Sequence, residues 1–518
     1  MSVLDPAALQ VLVSRLAGIA DEMGAVLRRA ASSPNIKERA DCSAAVFTAS
    51  GDLLAQAEHI PVHLGSMPAS VHAALDALGG SVGPGDQVVL NDPFAGGTHL
   101  NDITLVAPCF AGDELVAWVA NRAHHADLGG TTPGSMPPDA LVVDEEGLRV
   151  PPSLLDAGME ARIVESSRTP EERRGDLDAQ RGANALGVER VLEVVAQLGS
   201  TASFAELVDY GERRMRAAIT RLPDGRYEFA DVLDSAGPRP AQQTPTRIVL
   251  ALTIDGDTAT FDFTGTEAQR PGNVNAVEAV TVSAVAFALR SATDPTIPAN
   301  GGAMRPVRVI APAGTVVAAT LPVAVGAGNV EVSQRVADVC LGALARAAPD
   351  RVGAAGQGTM NNLLLGGDGW VYYETIGGGQ GGRPGMPGMS GVHTAMTNTL
   401  DTPVEALERL LPVRVRRYTL REGSGGAGAQ PGGDGIDREL EVLEPTTASL
   451  IAERHSSRPW GLAGGAPGAP GEHWLLPGGD EAQARLLGDK CTVELEPGDV
   501  IRVRTPGGGG WGAPPPAG

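Results

Sequence analysis

Apolar residues recur at three- and four-residue steps from Leu9 through Leu12, Leu16, Ile19 and Met23 to Val26, the spacing of one helix face. Asp5-Pro6 supplies an N-cap and a first-turn proline, so the pattern predicts a helix to about Arg29, ended by Ser32-Ser33-Pro34. The period then shortens. Alternation over Cys42–Phe47 and a second run at Leu53–Ala57, joined through Ser50-Gly51, predicts paired strands. His59 and His63 bracket Pro61, which predicts an extended segment; both histidines read as surface or structural, with a place lining the pocket as the alternative. A helix from about Pro68 to Leu78 and a strand at Gln87–Leu90 come next.

Two apolar runs, Ile103–Phe110 and Leu115–Ala123, flank the polar turn Ala111-Gly112-Asp113-Glu114 and predict a β-hairpin. From about Asp156 to Met215 the pattern is helical, interrupted by the polar stretch Gly175–Asn184. Pro223-Asp224-Gly225 opens a run of short strands (Tyr227–Val232, Thr246–Thr253, Thr258–Phe263), followed by helices at Ala276–Ala292 and Arg335–Ala347. Glycine then dominates, at Gly377–Gly382, Ser424–Gly428, Pro431–Gly435 and Thr505–Gly512, and these runs read as tight turns. The chain is expected to be α+β and multi-domain, with mixed helices, largely antiparallel sheets and a glycine-rich, β-rich C-terminal region. Expected boundaries are an N-terminal α+β domain over 1–220 that holds the candidate site, a β-rich module with helices over 221–350, and a glycine-rich domain over 351–518.

Composition narrows the function. A net charge of −22 over 518 residues argues against nucleic acid and anionic membrane. Only two lysines occur, Lys37 and Lys490, so contacts to anions fall to arginine or backbone N–H groups. Four cysteines, Cys42, Cys109, Cys340 and Cys491, form no CxxC and read as reduced thiols. With no charged segment leading into an apolar one at the start, and no run of membrane-spanning length, the expected location is the cytoplasm. No GxxxxGK[ST] occurs, and no GxGxxG stands between a clear strand and helix, so no nucleotide site is assigned to this chain.

The chemistry concentrates between Asn91 and Gly130, where three of the nine histidines lie. Folding the hairpin brings His99 and Asp102 to the same end as His124 and His125. Two imidazoles and a carboxylate there make a mixed nitrogen and oxygen site suited to zinc, manganese or iron. If Phe110 opposes Leu115, Asp102 opposes Ala123 and shares a face with His125; one bulge would place His124 there instead. Asp41, at the edge of the first strand, is either a fourth ligand or the partner of Arg39. Glu146 is a candidate general base, and Gly96-Gly97 are expected to let the backbone pass close to a bound group.

The ordered succession ERADCS (Glu38–Ser43), HIPVHLGSM (His59–Met67), NDPFAGGTHLNDITL (Asn91–Leu105), NRAHHADLGGTTPGSMP (Asn121–Pro137), GDLDAQ (Gly175–Gln180), YYETIGGGQGG (Tyr372–Gly382) and MTNTLDTPVEALE (Met396–Glu408) resembles the hydantoinase B/oxoprolinase family over nearly the whole chain. The resemblance implies a divalent metal held by His99, Asp102 and His124 with Asp41 as a further ligand, hence the bulged register. It also implies a partner, a hydantoinase A type subunit in a heterotetramer or larger assembly, that uses ATP to phosphorylate the carbonyl oxygen of a small cyclic amide such as a hydantoin, a lactam or 5-oxoproline.

An amide carbonyl is a poor electrophile because nitrogen donates into it; phosphorylation turns it into an imidate-like carbon. The expected reaction is attack on that carbon by water made more acidic at the metal, with Glu146, Asp127 or His125 moving protons or orienting a ligand. The alternatives are a subunit of an ATP-dependent ketone carboxylase of the acetone or acetophenone type, a non-catalytic scaffold subunit, and a stand-alone metallohydrolase.

Overall fold

The structure, a computed structural model, describes residues 4–57 and 60–514; His59 lies outside them. The first helix runs from Pro6 to Ala30, with the Asp5 side chain accepting from Ala8 N at its start. Its buried stripe is Leu9, Leu12, Leu16, Ile19, Met23 and Leu27, each contributing about 1.5–3 kcal/mol through burial.

That helix covers a six-stranded sheet made of β1 (Cys42–Thr48), β2 (Leu53–Ala57), β3 (Val88–Leu90), β4 (Asp102–Ala111), β5 (Glu114–His124) and β6 (Ser153–Leu154), in the order β2-β1-β5-β4-β3-β6. The β4–β5 hairpin is therefore the middle of the sheet. Phe110 opposes Leu115, and a register shift between Cys109 and Phe110 places Asp102 opposite His124, the bulged alternative.

The polar stretch Gly175–Asn184 does not interrupt a helix. It lies inside one continuous helix, Pro170–Leu198, that crosses this hairpin. Its polar residues are buried because they bond to the sheet: Gln180 donates to Ile103 O and Asn121 Oδ1, and Asn184 to Leu105 O. Apolar periodicity is lost where the buried face is satisfied by hydrogen bonds.

A second sheet, β10-β9-β8-β7, is built from β7 (Gly225–Leu233), β8 (Thr246–Asp255), β9 (Thr258–Asp262) and β10 (Val307–Ile310). Its β9–β10 pair is parallel, whereas the other strand pairs among the described residues are antiparallel. Helices Glu278–Ala292 and Ser333–Ala347 belong to the large apolar core that includes this sheet. The later strands are β11 (Asn362–Gly367), β12 (Trp370–Thr375), β13 (Val413–Arg421), β14 (Gly435–Val442), β15 (Thr446–Ile451), β16 (Glu472–Leu476), β17 (Arg485–Leu487), β18 (Lys490–Leu495) and β19 (Val500–Arg504). They form two further sheets, β12-β11-β15-β18 and β13-β14-β19-β16-β17.

Between these sheets the glycine runs do more than turn. Gly379 N donates to Pro506 O, Gly433 N to Gln380 O, Gly508 N to Gly433 O and Gly426 N to Gly508 O, each within 3.0 Å. Extended segments thus bond backbone to backbone, so tightly that a Cβ on Gly379 would collide with Gly433 O and Gly508 N, and one on Gly508 with Gln380 O. These glycines are required by space, not by turn geometry. Cys42 and Cys109 are buried, and burial pushes each thiol up to about 12. No single helix among the described residues is long and apolar enough to cross a membrane.

Candidate metal centre

The bulge puts Asp102, the first residue of β4, beside His124, the last of β5. His99 arrives from the preceding turn. Gly97 lets that turn double back, since a Cβ there would strike Asn91 O and Asp92 O; the close approach is to the chain's own backbone. The result is a carboxylate surrounded by imidazoles. Asp102 Oδ1 lies 3.1 Å from His99 Nε2 and 3.4 Å from His124 Nδ1, and Oδ2 lies 3.3 Å from His63 Nε2. Thr98 Oγ1 and Asn329 Nδ2 also donate to Oδ2, at 2.8 and 3.2 Å.

All of these groups are buried. Burial alone would raise the Asp102 carboxyl, but the charge of His99 and the bonds from His124, His63 and His99 hold it well below the usual range. Burial lowers the His99 imidazole, but Asp102, the Gly326 carbonyl and Asp41 together raise it for a net rise, whereas burial wins at His124 and lowers it. Second contacts fix both rings. His99 Nδ1 faces Gly326 O at 3.3 Å, leaving Nε2 toward Asp102, and Tyr373 stacks on His124 with ring centroids 4.5 Å apart.

His124 turns Nδ1 to this carboxylate, and its buried Nε2 has no hydrogen-bond partner. One ligand atom from each of His99, Asp102 and His124 lies within 4.8 Å of the others, a spread that one ion with ligands at about 2.0–2.2 Å can draw together. The donor set therefore fits a divalent cation of the zinc, manganese or iron class.

Asp41 lines the same cavity, and its charge raises both His99 and His124. Arg39 is not its partner: the guanidinium donates to Tyr373 O, Thr375 Oγ1, Thr399 Oγ1 and Leu400 O. The cavity measures about 20 Å³ and also takes in Ile60, Val62, His63, Asn329, Val330, Met360, Tyr373, Thr375, Thr397 and Thr399. Its walls thus come from well beyond residue 220, the expected limit of the domain holding the site. Ala40, Asn361 and Ala395, each at φ between 50° and 57°, stand within two residues of a wall residue, the kind of strain that clusters at functional sites.

The candidate proton carriers are placed elsewhere. His125 turns to the other side of the hairpin, where Nε2 meets Gln180 Oε1 at 2.9 Å, and burial lowers it to about 4. Asp127 accepts from Gly129 N, Gly134 N, Ser167 Oγ and Arg168, which ties down the loop that follows. Glu146 accepts from Val325 N and Gly326 N, and burial raises it to about 8. It anchors the segment whose Gly326 carbonyl orients His99. His63 lines the cavity, the alternative to a surface or structural place, and does so from a 3₁₀ turn, Pro61–His63, where an extended segment was expected. Tyr373 had no local sequence signal beyond its place in the Tyr372–Gly382 motif, and Asn329 had none.

Comparisons with known proteins place the chain among relatives. A putative D-/L-hydantoinase B-type subunit of Pseudomonas sp. (strain NS671) is 32% identical over 99% of this chain and 90% of its own length. The 5-oxoprolinase 1 of Arabidopsis thaliana is 39% identical over 99% of this chain, which spans only 42% of that larger protein. Among solved structures, the ATP-dependent caprolactamase from Pseudomonas jessenii superposes with a TM-score of 0.92 at 28% identity, covering 99% of this chain and 92% of that one. Acetone carboxylase in its nucleotide-free form shares the fold, with a TM-score of 0.90 at 21% identity over 98% of this chain and 76% of that one. The family model for hydantoinase B/oxoprolinase matches residues 5–514, and the chain belongs to that family.

Proposed function

We propose that this chain is the metal-dependent subunit of an ATP-dependent cyclic amide hydrolase. It would act on a carbonyl-phosphorylated intermediate supplied by a hydantoinase A type partner. The observation that carries the reading is the convergence of His99, Asp102 and His124, all buried, with one ligand atom from each within 4.8 Å of the others. The lack of a phosphate loop in the sequence supports assigning ATP to the partner.

His99 Nε2, Asp102 Oδ1 and His124 would hold the ion, with Asp41 as a further ligand. A divalent cation there supplies charge that makes water acidic at neutral pH. The chain's own residues do the rest. Gly326 O and Tyr373 orient the two imidazoles, while Thr98, His63 and Asn329 hold Asp102 Oδ2 so that Oδ1 stays toward the histidines, the outer support that metal ligands require. Ile60, Val62, Val330 and Met360 keep the cavity apolar on one side, which protects an activated carbonyl carbon from bulk water. In the ring opening, water oxygen bonds to that carbon, the C–N bond breaks as nitrogen takes a proton, and a second water releases phosphate from the acyl phosphate.

The test is the purified pair of subunits assayed for ATP consumption and ring-opened product. Lactam-dependent turnover that disappears in His99→Ala together with bound metal is expected. Full turnover without detectable metal overturns the reading. Incorporation of labelled bicarbonate into a ketone would replace it with the carboxylase alternative, and ring opening without ATP with the stand-alone hydrolase.

A further inference from the structure

Asn329 sits on a π-helical turn, Gly328–Val332, just ahead of the helix Ser333–Ala347, a local distortion frequent at functional sites. Its amide orientation is settled by chemistry. Asp102 Oδ2 is an acceptor only, so the group 3.2 Å from it must be the amide nitrogen. Oδ1 is then left buried and without a partner. Among the side chains lining the cavity, the described atoms in that condition are His124 Nε2 and Asn329 Oδ1. The first is a lone pair suited to a cation. The second is a fixed neutral acceptor, and a buried acceptor of this kind calls for a donor.

We infer that Asn329 Oδ1 accepts the ring N–H of the substrate, so that the site reads secondary cyclic amides in preference to N-alkylated rings or ketones. The inference rests on the cyclic amide reading above and names the feature of the substrate that is recognised. A lactam activated on its carbonyl oxygen carries an imidate nitrogen. Protonated, that nitrogen is an N–H donor and its carbon is more electrophilic; once water oxygen has bonded to the carbon, the nitrogen remains an N–H until the C–N bond breaks. In both forms it donates to an amide oxygen. An aspartate at this position would accept as well, but it would add a negative charge beside Asp102 and Asp41, whereas asparagine accepts from the ring while donating to Asp102. At about 20 Å³ the cavity holds a water or a cation, so a ring enters only as one wall yields. Thr397 and Thr399 lie in a wall segment without regular secondary structure, held through hydroxyl bonds between Thr399, Thr375 and Arg39.

The experiment compares a lactam with its N-methyl analogue in the assembled two-subunit enzyme, for wild type and Asn329→Ala, with metal content and melting temperature measured alongside. The expected result is a fall of about 10- to 100-fold in kcat/KM for opening the N–H ring, the worth of one buried hydrogen bond to a charged donor. The preference for N–H over N-methyl should shrink by the same factor at saturating metal, where any weakening of metal binding from the lost bond to Asp102 acts on both substrates alike. An equal loss on both substrates at saturating metal overturns the inference and leaves Asn329 a support for Asp102 alone. If Asn329→Ala does not fold, Asn329→Ser, which keeps a smaller polar group, is read on the same ratio. A wild-type pair that opens no cyclic amide at all overturns the functional reading and this one with it, whereas an active wild type with an unchanged ratio in the variant overturns this one alone.

Discussion

The end of the β4–β5 hairpin and the glycine-rich segments between the last two sheets are both buried, and they are held together by opposite means. At the hairpin, side chains carry the specificity: one carboxylate gathers His63, His99, His124, Thr98 and Asn329. In the glycine region the backbone carries it, with carbonyl and N–H groups meeting across spaces that no side chain could share. The first arrangement tolerates changes in packing and fails when a charge is lost; the second has no charge to lose and fails when a single carbon is added.

Gly379→Ala breaks the second arrangement and carries the largest expected effect. Its Cβ would meet backbone on two sides, Gly433 O and Gly508 N, and backbone cannot rotate away as a side chain can. A loss of about 3 kcal/mol or more is expected, at the upper end for overpacking, visible in denaturant unfolding or as failure to accumulate folded chain. A near-wild-type unfolding midpoint would mean that the segments are not in close contact. Asp102→Asn breaks the first arrangement in the other sense. The shape is kept and the charge removed, so the fold should persist while metal affinity drops by more than about 100-fold, beyond what loss of an outer-shell partner costs. Elemental analysis with circular dichroism separates the two effects.

These two regions also differ in how far they could be read in advance. Two apolar runs about a polar turn announced β4 and β5, and the histidine and aspartate residues at their ends announced a site, because charged groups next to apolar runs leave a visible pattern. The bulge at Cys109 and Phe110 left none, since either register keeps a continuous apolar face. The buried polar face of the Pro170–Leu198 helix read as a break because its partners, Ile103 O and Leu105 O, are backbone groups that no pattern announces. Pairing with its near neighbour Asp41 was one of two readings open for Arg39, and its partners stand more than 330 residues away. The glycine segments were the least legible. A residue without a side chain signals freedom to turn and close approach alike, and only the neighbouring backbone decides between them.

His63 sharpens the account of the hairpin end. With Nδ1 on Ser43 Oγ at 2.9 Å and Nε2 on Asp102, it supports the hub from outside the three-residue cluster. His63→Ala should weaken metal binding by about 10- to 100-fold, less than Asp102→Asn, measured by competition with a chelator. An effect as large as that of Asp102→Asn would make His63 a ligand.

Glu146 gives the comparison a pH dependence. An unfolded glutamate titrates near 4.5 and this one near 8, so across that interval the folded chain holds a proton that the unfolded chain releases. The associated stability is complete below the lower value and is lost as pH rises toward the upper one. Glu146→Gln keeps an oxygen for Val325 N and Gly326 N and removes the titration. The fall in stability between about pH 5 and pH 8, up to about 1.4 kcal/mol per pH unit for one proton, should flatten in the variant. Parallel curves for the two proteins would show that the carboxyl is ionised throughout.

The smallest effect has the opposite sign. Gly182 lies on the exposed side of the Pro170–Leu198 helix, and a Cβ there meets nothing within 4 Å. Gly182→Ala limits the unfolded chain and improves helix propensity, so it should stabilise by about 0.5–1 kcal/mol, a small upward shift in melting temperature. Gly187, one and a half turns on in the same helix, is already packed against Met23 and would not accept the change so freely. If Gly182→Ala destabilised as Gly379→Ala is expected to, the loss would belong to glycine as a residue type. A gain at one position and a collapse at the other would assign it to the neighbouring backbone, which is the distinction on which the C-terminal segments depend.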